Sequence, residues 1–392
     1  MIKDPGFVRG AWCLSREQEW LLKAASLPPE KAIEAWEKWR AVSDLEAIDY
    51  GSFQLLPAVY GNLRSRIQGP AQGILRGIYR AAWSQNQLLF NEAASGVQAL
   101  LKEEIPVLLL KGAAMTLRYY RDFGSRIMGD FDILIPTEKR EKALAVLEEN
   151  GWRMELDIPR EEILQTRHAA TLRNSSGKVI DLHWHLLWCR LDSAPFWSHA
   201  EEVFWQEGVF TVPRPEYQLL HVCVHGARCG DEYEFHPHRH PLLWALDALK
   251  IFEVSPDFRW DHFEEAAGKL YVRLQMGHTL HYLKDAFQAA VPRGAVQQLL
   301  KKPASRMERF HYAATMQPDG PKGLKKIRFL ICRLFTWIYK REGAETLSCL
   351  RGHQLAARFI IFLKERFELE HLWQVPFRIL SKVIRRPWTL WS

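Results

Sequence analysis

A chain of 392 residues with 47% apolar side chains can bury a large core and is long enough for two or three domains. It lacks any run of about 18 apolar residues and any basic-apolar-small leader, so a membrane-spanning or exported chain is not expected and a cytoplasmic one is. Its net charge of +7 is uneven: residues 322–392 hold 15 Lys/Arg against 5 Asp/Glu, or +10, which leaves −3 for residues 1–321. A basic tail of this kind can meet phosphates, acidic lipids or acidic peptides, or simply form the solvated face of packed helices.

Residues 1–104 read as helices. Apolar side chains recur at three- and four-residue steps over 30–40 and 74–101, and Pro28-Pro29 marks a break before the first of these runs. The texture changes at Ile105. Residues 106–110 form a short apolar run that predicts a buried strand, followed by a helix over 113–120. Residues 131–135 predict a second strand, stopped by Pro136. Thr137 is then the expected N-cap of a helix running to Asn150, with Gly151 as its C′ residue. Residues 169–174, the turn Ser175 to Lys178 and a strand over 179–186 complete a strand, helix, strand, helix, hairpin order, which is an α/β unit with a mixed sheet.

Helices return from Pro215, over 217–228 and 242–252, with further helices expected at 260–268, 271–289, 305–315, 324–341 and 352–368. Six cysteines occur without a Cys-x-x-Cys pair, so a zinc ribbon or a thioredoxin motif is not indicated and reduced thiols are expected.

The chemistry concentrates in the middle of the chain. A strand ends at Lys111 and the chain turns at Gly112 into a helix, where a missing side chain lets backbone approach a phosphate and the helix N-terminus favours anions. Lys111 adds a point charge beside it. Asp130 and Asp132 flank Phe131, and on a strand residues two apart share a face. Two carboxylates so close repel unless a cation stands between them, and Mg²⁺ (or Mn²⁺) suits carboxylate oxygens and substrate phosphates. Over 179–186 the alternation is clean: Ile180, Leu182, Trp184 and Leu186 face one way, and Asp181, His183 and His185 the other. If that strand neighbours 131–135, Asp181 joins the pair.

The stretch Leu109-Leu-Lys-Gly-Ala-Ala, then Arg126-Ile-Met-Gly-Asp-Phe-Asp-Ile-Leu-Ile, Glu148-Glu-Asn-Gly-Trp and Ile180-Asp-Leu-His-Trp resembles the uncharacterised nucleotidyltransferase family of the polymerase-beta-like superfamily. Leu220-His-Val-Cys-Val-His-Gly-Ala-Arg and Leu242-Leu-Trp-Ala-Leu-Asp resemble its downstream helices, so the likeness covers about residues 85–255. The resemblance implies an α+β fold, a minimal nucleotidyltransferase mixed sheet flanked by N-terminal and C-terminal helical regions. The corresponding divisions are 1–104, 105–214 and 215–392. It also implies Asp130, Asp132 and Asp181 as a metal-binding triad, with phosphate contact at Lys111, Gly112 and Arg126. The superfamily commonly places Gly-Ser or Gly-Gly in the first loop. Here the pair is Gly112-Ala113, so Lys111 or backbone N–H groups must carry the contact that a hydroxyl would make.

Several residues stand open to two readings. His183 shares the face of Asp181 and can orient substrate or be a satisfied structural histidine. His225 and Arg228 either line a substrate cleft or pack, with His221 on the same helical face as His225. Asp247 sits in an apolar helix, where an unpaired charge is costly, and is assigned as a partner to that basic cluster. His236, His238 and His240 lie in a Pro-containing loop and read as surface histidines ahead of a chelating site. Residues 377–391 interleave basic and apolar side chains, fitting an anionic membrane or partner, or a packed terminal helix.

The leading expectation is an enzyme that moves NMP from a nucleoside triphosphate to a hydroxyl or phosphate of a peptide or small molecule, with two Mg²⁺ (or Mn²⁺) ions. Two alternatives keep the site. One is a tailoring transferase for a (phospho)peptide or sugar donor, and the other a non-catalytic nucleotide-binding module.

Overall fold

The computed structural model describes residues 13–155, 159–186, 193–206, 208–226, 242–305, 351–366 and 369–378, with residues 308, 309, 312, 334, 338 and 342. The loop from Cys229 to His240 with its three histidines lies outside the described residues, as do most of the expected helices at 305–315 and 324–341 and most of the basic tail; residues 308, 309, 312, 334 and 338 are described, and are helical. No helix among the described residues is long and apolar enough to cross a membrane.

Four helices open the chain: α1 (Arg16–Ser26), α2 (Pro29–Arg40), α3 (Tyr50–Leu63) and α4 (Pro70–Lys102). Each starts where its chemistry says it should. Ser15 and Gln18 close a capping box on α1, the expected Pro28-Pro29 break opens α2 with proline in its first turn, and Asp49 accepts the Ser52 N–H on α3. The sheet then begins with β1 (Leu108–Leu109), shorter than the expected 106–110. The next helix starts earlier than expected. It runs as α5 (Lys111–Ala114) and continues through a π-turn over Met115–Tyr120.

The chain continues with β2 (Phe131–Leu134), α6 (Arg140–Glu149), β3 (Arg153–Met154), α7 (Arg160–Thr166), β4 (Ala169–Arg173) and β5 (Val179–His183). Thr137 does not cap α6. It opens a short 3-10 turn, and its hydroxyl donates instead to the Trp184 carbonyl at 2.8 Å, tying the exit of β2 to that of β5. Gly151 takes the expected left-handed turn, with φ of +85°.

A short α8 (Ala194–Ser198) leads into a hairpin that the sequence reading did not assign, β6 (Ala200–Trp205) and β7 (Gly208–Pro213). The strands order as β3-β4-β5-β2-β1-β7-β6 in one seven-stranded sheet. The β2–β5 and β1–β7 pairs are parallel and the others antiparallel. The fold is thus α+β with a mixed sheet and flanking helices, as the resemblance implies. The C-terminal half follows as α9 (Pro215–Gly226), α10 (Leu243–Val254), α11 (Trp260–Lys269), α12 (Arg273–Phe287) and α13 (Arg293–Lys301), with a later helix at Gly352–Arg366.

Alternation along the strands sends their side chains into two cores. On one face Phe131, Ile133, Ile180 and Leu182 pack with Phe90, Ala93 and Val97 of α4 and with Leu144 and Leu147 of α6. The Phe90 ring meets Phe131 edge-on at 5.0 Å. On the other face Leu108, Leu110 and Leu134 join a larger core built jointly by α1–α3 and α9–α12. The two helical regions that flank the sheet in sequence therefore share one core. α4, although N-terminal, is part of the sheet's other layer. Asp132 lies between Phe131 and Ile133, so it points away from α4, toward the helices of the larger core.

Candidate active site

The parallel pairing of β2 with β5 decides the geometry. Asp132 lies directly beside Asp181, and Leu134 beside His183. Same-face alternation then gathers Asp132, Asp181 and His183 on one side. One ligand atom from each lies within 4.8 Å of the other two. The conditional expectation for Asp181 is met. His183, open to two readings in sequence, bridges the acids: its Nε2 is 3.1 Å from Asp132 Oδ1 and 3.0 Å from Asp181 Oδ2. Thr171, opposite Asp181 on β4, donates its hydroxyl to the other carboxylate oxygen at 3.2 Å. Asp130 precedes β2 and is not part of this close set.

Lys111 completes the cluster. Its backbone takes φ of +40°, a region that non-glycine residues seldom occupy. That turn brings Nζ to 2.5 Å from Asp132 Oδ1 and 3.9 Å from Asp181 Oδ2. Backbone strain of this sort persists only where surrounding contacts over-determine it, and here an ion pair supplies them.

Electrostatics follow from crowding. Burial opposes charge at Asp132, but the Lys111 ammonium and the His183 ring outweigh it and hold the carboxyl far below the usual range. At Asp181 burial is likewise outweighed, chiefly by His183, and the carboxyl is lowered. Burial would lower Lys111 and His183, yet the acids beside them raise both. Asp130 is the exception: repulsion from Asp132, and then burial, push it up to about 6 despite Lys111. Three carboxylates therefore crowd around one lysine and one histidine. Its donor set of carboxylate oxygens with one imidazole fits a hard divalent cation such as Mg²⁺ or Mn²⁺, and such a cation would relieve the charge that Asp130 carries at a cost.

Gly112 is required by its neighbours. A Cβ there would lie 2.6 Å from Arg126 Nη1 and 3.0 Å from the Met128 side chain. Arg126 itself is buried, and its guanidinium forks onto Asp247 of α10, Nε to Oδ1 at 2.9 Å and Nη2 to Oδ2 at 2.9 Å. Tyr120, at the end of the π-turn, donates to the same Oδ1 at 3.0 Å. Burial opposes the charge on Arg126, and the Asp247 carboxylate more than restores it. The guanidinium that the resemblance places at a phosphate is thus fixed by a buried carboxylate through Nε and Nη2, with Nη1 lying beside Gly112.

Asp247 was assigned in sequence to the basic cluster of His225 and Arg228; among the described residues its side chain is held by Arg126 and Tyr120. The signal that could have found this pair was the cost of a lone acid in an apolar helix, matched to a lone arginine before the Asp-x-Asp strand. His225 lies in the last turn of α9 with its ring edge-on to His221 at 6.1 Å. Arg228 lies outside the described residues.

Comparison with known proteins supplies the remaining constraint. No curated protein sequence matches the chain. Among solved structures, the antibiotic-resistance factor ANT(2'')-Ia is similar at 14% identity over 54% of this chain and 96% of its own, with a TM-score of 0.29. An antigenic nucleotidyltransferase-like protein from Paracoccidioides brasiliensis is similar at 16% identity over 53% of this chain and 96% of its own, with a TM-score of 0.34. The family model described as "Uncharacterised nucleotidyltransferase" matches residues 52–288, a span that holds the acid cluster, the Lys111-Gly112 turn and the Arg126–Asp247 pair. This chain belongs to that uncharacterised nucleotidyltransferase family, and it is a transferase.

Proposed function

We propose that the enzyme transfers a nucleoside monophosphate from a nucleoside triphosphate to an acceptor hydroxyl or phosphate. Asp130, Asp132 and Asp181 would hold Mg²⁺ or Mn²⁺ for this reaction. The observation that carries the reading is the register of Asp132 beside Asp181, with Lys111 drawn onto both. When bound, the divalent cations neutralise triphosphate charge and lower the pKa of the attacking group.

The chain's own residues do the rest. Lys111 would exchange Asp132 for the triphosphate and hold phosphate charge already present in the ground state. Gly112 keeps the backbone N–H groups of the turn open to phosphate oxygens. Asp181 is the more exposed acid of the register pair, with 20% of its side chain accessible against 2% for Asp132, so it marks the acceptor side and takes up the acceptor proton. The acceptor oxygen bonds to the α-phosphorus, the α–β phosphoanhydride bond breaks, and pyrophosphate leaves. His183 orients the two register acids. Arg126 acts from behind the turn: Nε and Nη2 hold Asp247, which fixes the guanidinium, and Nη1 beside Gly112 is the donor that would reach a phosphate at the turn.

The test is incubation with each nucleoside triphosphate and Mg²⁺ in the presence of a small-molecule and peptide extract, followed by mass analysis. The expected result is pyrophosphate release with an NMP mass increment on an acceptor, both lost in Asp132→Asn. Release of inorganic phosphate or a sugar increment in place of NMP would overturn the reading.

A further inference from the structure

A cleft of about 1040 Å³ opens where the end of α1, α3, the end of the π-turn, α10 and the exit of α12 meet. None of the acid cluster lines it, yet it adjoins the catalytic segment. Tyr120, Arg121, Asp122 and Ser125 form one wall, and Arg126 is the next residue along. From Ser125 to Asp130 is five residues, so chain length alone keeps the cleft rim within about 18 Å of that acid. Tyr120 links the two directly, because its hydroxyl shares Asp247 with Arg126.

The charges of the cleft are not evenly spent. Asp122 is fully engaged: it accepts from the Tyr79 hydroxyl at 2.8 Å, from the Gly124 N–H at 2.9 Å and from the Ser125 hydroxyl. Glu253 is paired with Lys250 at 2.8 Å. Asn62 spends its amide on the Ala24 and Leu27 carbonyls, both at 2.9 Å. Arg64 and Arg121 line the same cleft, are exposed, and have no side-chain partner among the described residues. Arg121 is held there by a left-handed backbone, with φ of +51°. Leu27, Leu249 and Phe252 add apolar surface to the lining. A lining whose acids are already engaged, with two guanidiniums that have no side-chain partner among the described residues and with apolar surface beside them, suits an anion attached to an apolar body.

We propose that this cleft, fronted by Arg64 and Arg121, is the site that receives the acceptor, and that the acceptor carries a phosphate or carboxylate on an apolar body. Identifying the ligand as the acceptor rests on the nucleotidyl-transfer reading above; the anion site itself does not. Bound this way, the acceptor's anionic end is anchored in the cleft while its nucleophile extends past Ser125 toward Asp181.

Ligand-observed NMR on the full chain in EDTA, without nucleotide, tests the site with phenyl phosphate and benzoate as probes. At least one probe should bind. Its affinity should fall at least tenfold in the double variant Arg64→Gln, Arg121→Gln, and stay within twofold in Lys111→Ala. Tighter binding of phenyl phosphate identifies a phosphorylated acceptor, and tighter binding of benzoate a carboxylate one. No binding of either probe overturns the proposal, as does binding indifferent to the arginine pair. Loss in Lys111→Ala also overturns it, because the anion would then sit at the phosphate turn. Binding of Mg²⁺–ATP is measured on the same wild-type protein after exchange into Mg²⁺ buffer without EDTA. Its failure would remove the transfer reading and leave the anion site standing.

Discussion

Two buried ionic clusters lie a few residues apart and are balanced in opposite ways. Arg126, Asp247 and Tyr120 form a closed set: one cation, one anion and one hydroxyl, with every close contact between 2.9 and 3.2 Å. Lys111, His183, Asp132, Asp181 and Asp130 form an open one, in which three carboxylates crowd around one lysine and one histidine and Asp130 is pushed up to about 6. Both set aspartate against cationic side chains in largely buried surroundings. A satisfied pair holds position, and an overcrowded one awaits charge from outside. Gly112 is where they meet: Arg126 presses against it from one side, and Lys111 swings from it toward the acids on the other.

Breaking the open cluster should cost activity most. Asp132→Asn removes the acid common to Lys111, His183 and the register pair, so the rate should fall by about 10³-fold or more, equivalent to about 4 kcal/mol of barrier. Steady-state pyrophosphate release checks this, and a loss under tenfold would detach Asp132 from the chemistry. Breaking the closed cluster should cost stability instead. Asp247→Ala strands the Arg126 guanidinium in the interior, a change worth about 3–5 kcal/mol. Replacing both partners, Arg126→Met with Asp247→Leu, should lose less than the single change. Denaturant unfolding distinguishes the two, and equal losses would mean the pair acts through packing alone.

Asp130→Asn sharpens the contrast, because removing a charge there should stabilise. Its folded pKa of about 6 lies above the ordinary value of 3.8. The native state therefore prefers the protonated acid. Ionising Asp130 costs stability progressively as pH rises from about 4 to 6, and the cost is complete above that. The variant should gain about 1–3 kcal/mol at pH 7.5 and almost nothing at pH 4, while losing turnover. Melting curves at the two pH values decide it, and a stability loss at pH 7.5 would contradict the crowding argument. The smallest effect belongs to Lys111→Ala. It should weaken Mg²⁺–ATP binding about tenfold with a lesser change in kcat, since the lysine meets phosphates already charged in the ground state. A selective fall in kcat would place Lys111 in the chemical step.

The open cluster was legible in the sequence because its logic is local. Asp181-Leu-His183 declares a shared strand face by its two-residue spacing and Asp132 lies on the neighbouring strand, so only the pairing of the two strands had to be supplied, whereas Asp130, expected on the same face, falls just before β2. The closed cluster was not, because Arg126 and Asp247 are 121 residues apart and no periodicity links them. Asp247 was conspicuous as an acid among Leu, Trp and Ala, but burial cost says only that a partner exists, not which one. The hairpin of β6 and β7 was missed for a related reason. Residues 200–205 read Ala-Glu-Glu-Val-Phe-Trp, and as an edge strand they expose Phe204 while burying only Val203, so the usual apolar alternation is blurred. Thr137 had the composition of a cap, yet a carbonyl at the end of a neighbouring strand competed for its hydroxyl.

The central claim is that the open cluster exists to hold divalent cations against a nucleotide. Electron paramagnetic resonance of Mn²⁺ titrated into the full chain, with and without ATP, tests it most directly. The account predicts Mn²⁺ bound to the wild type and strengthened by ATP, with binding lost in Asp132→Asn and in Asp181→Asn but kept in Arg64→Gln. Unchanged Mn²⁺ binding in both aspartate variants would contradict it.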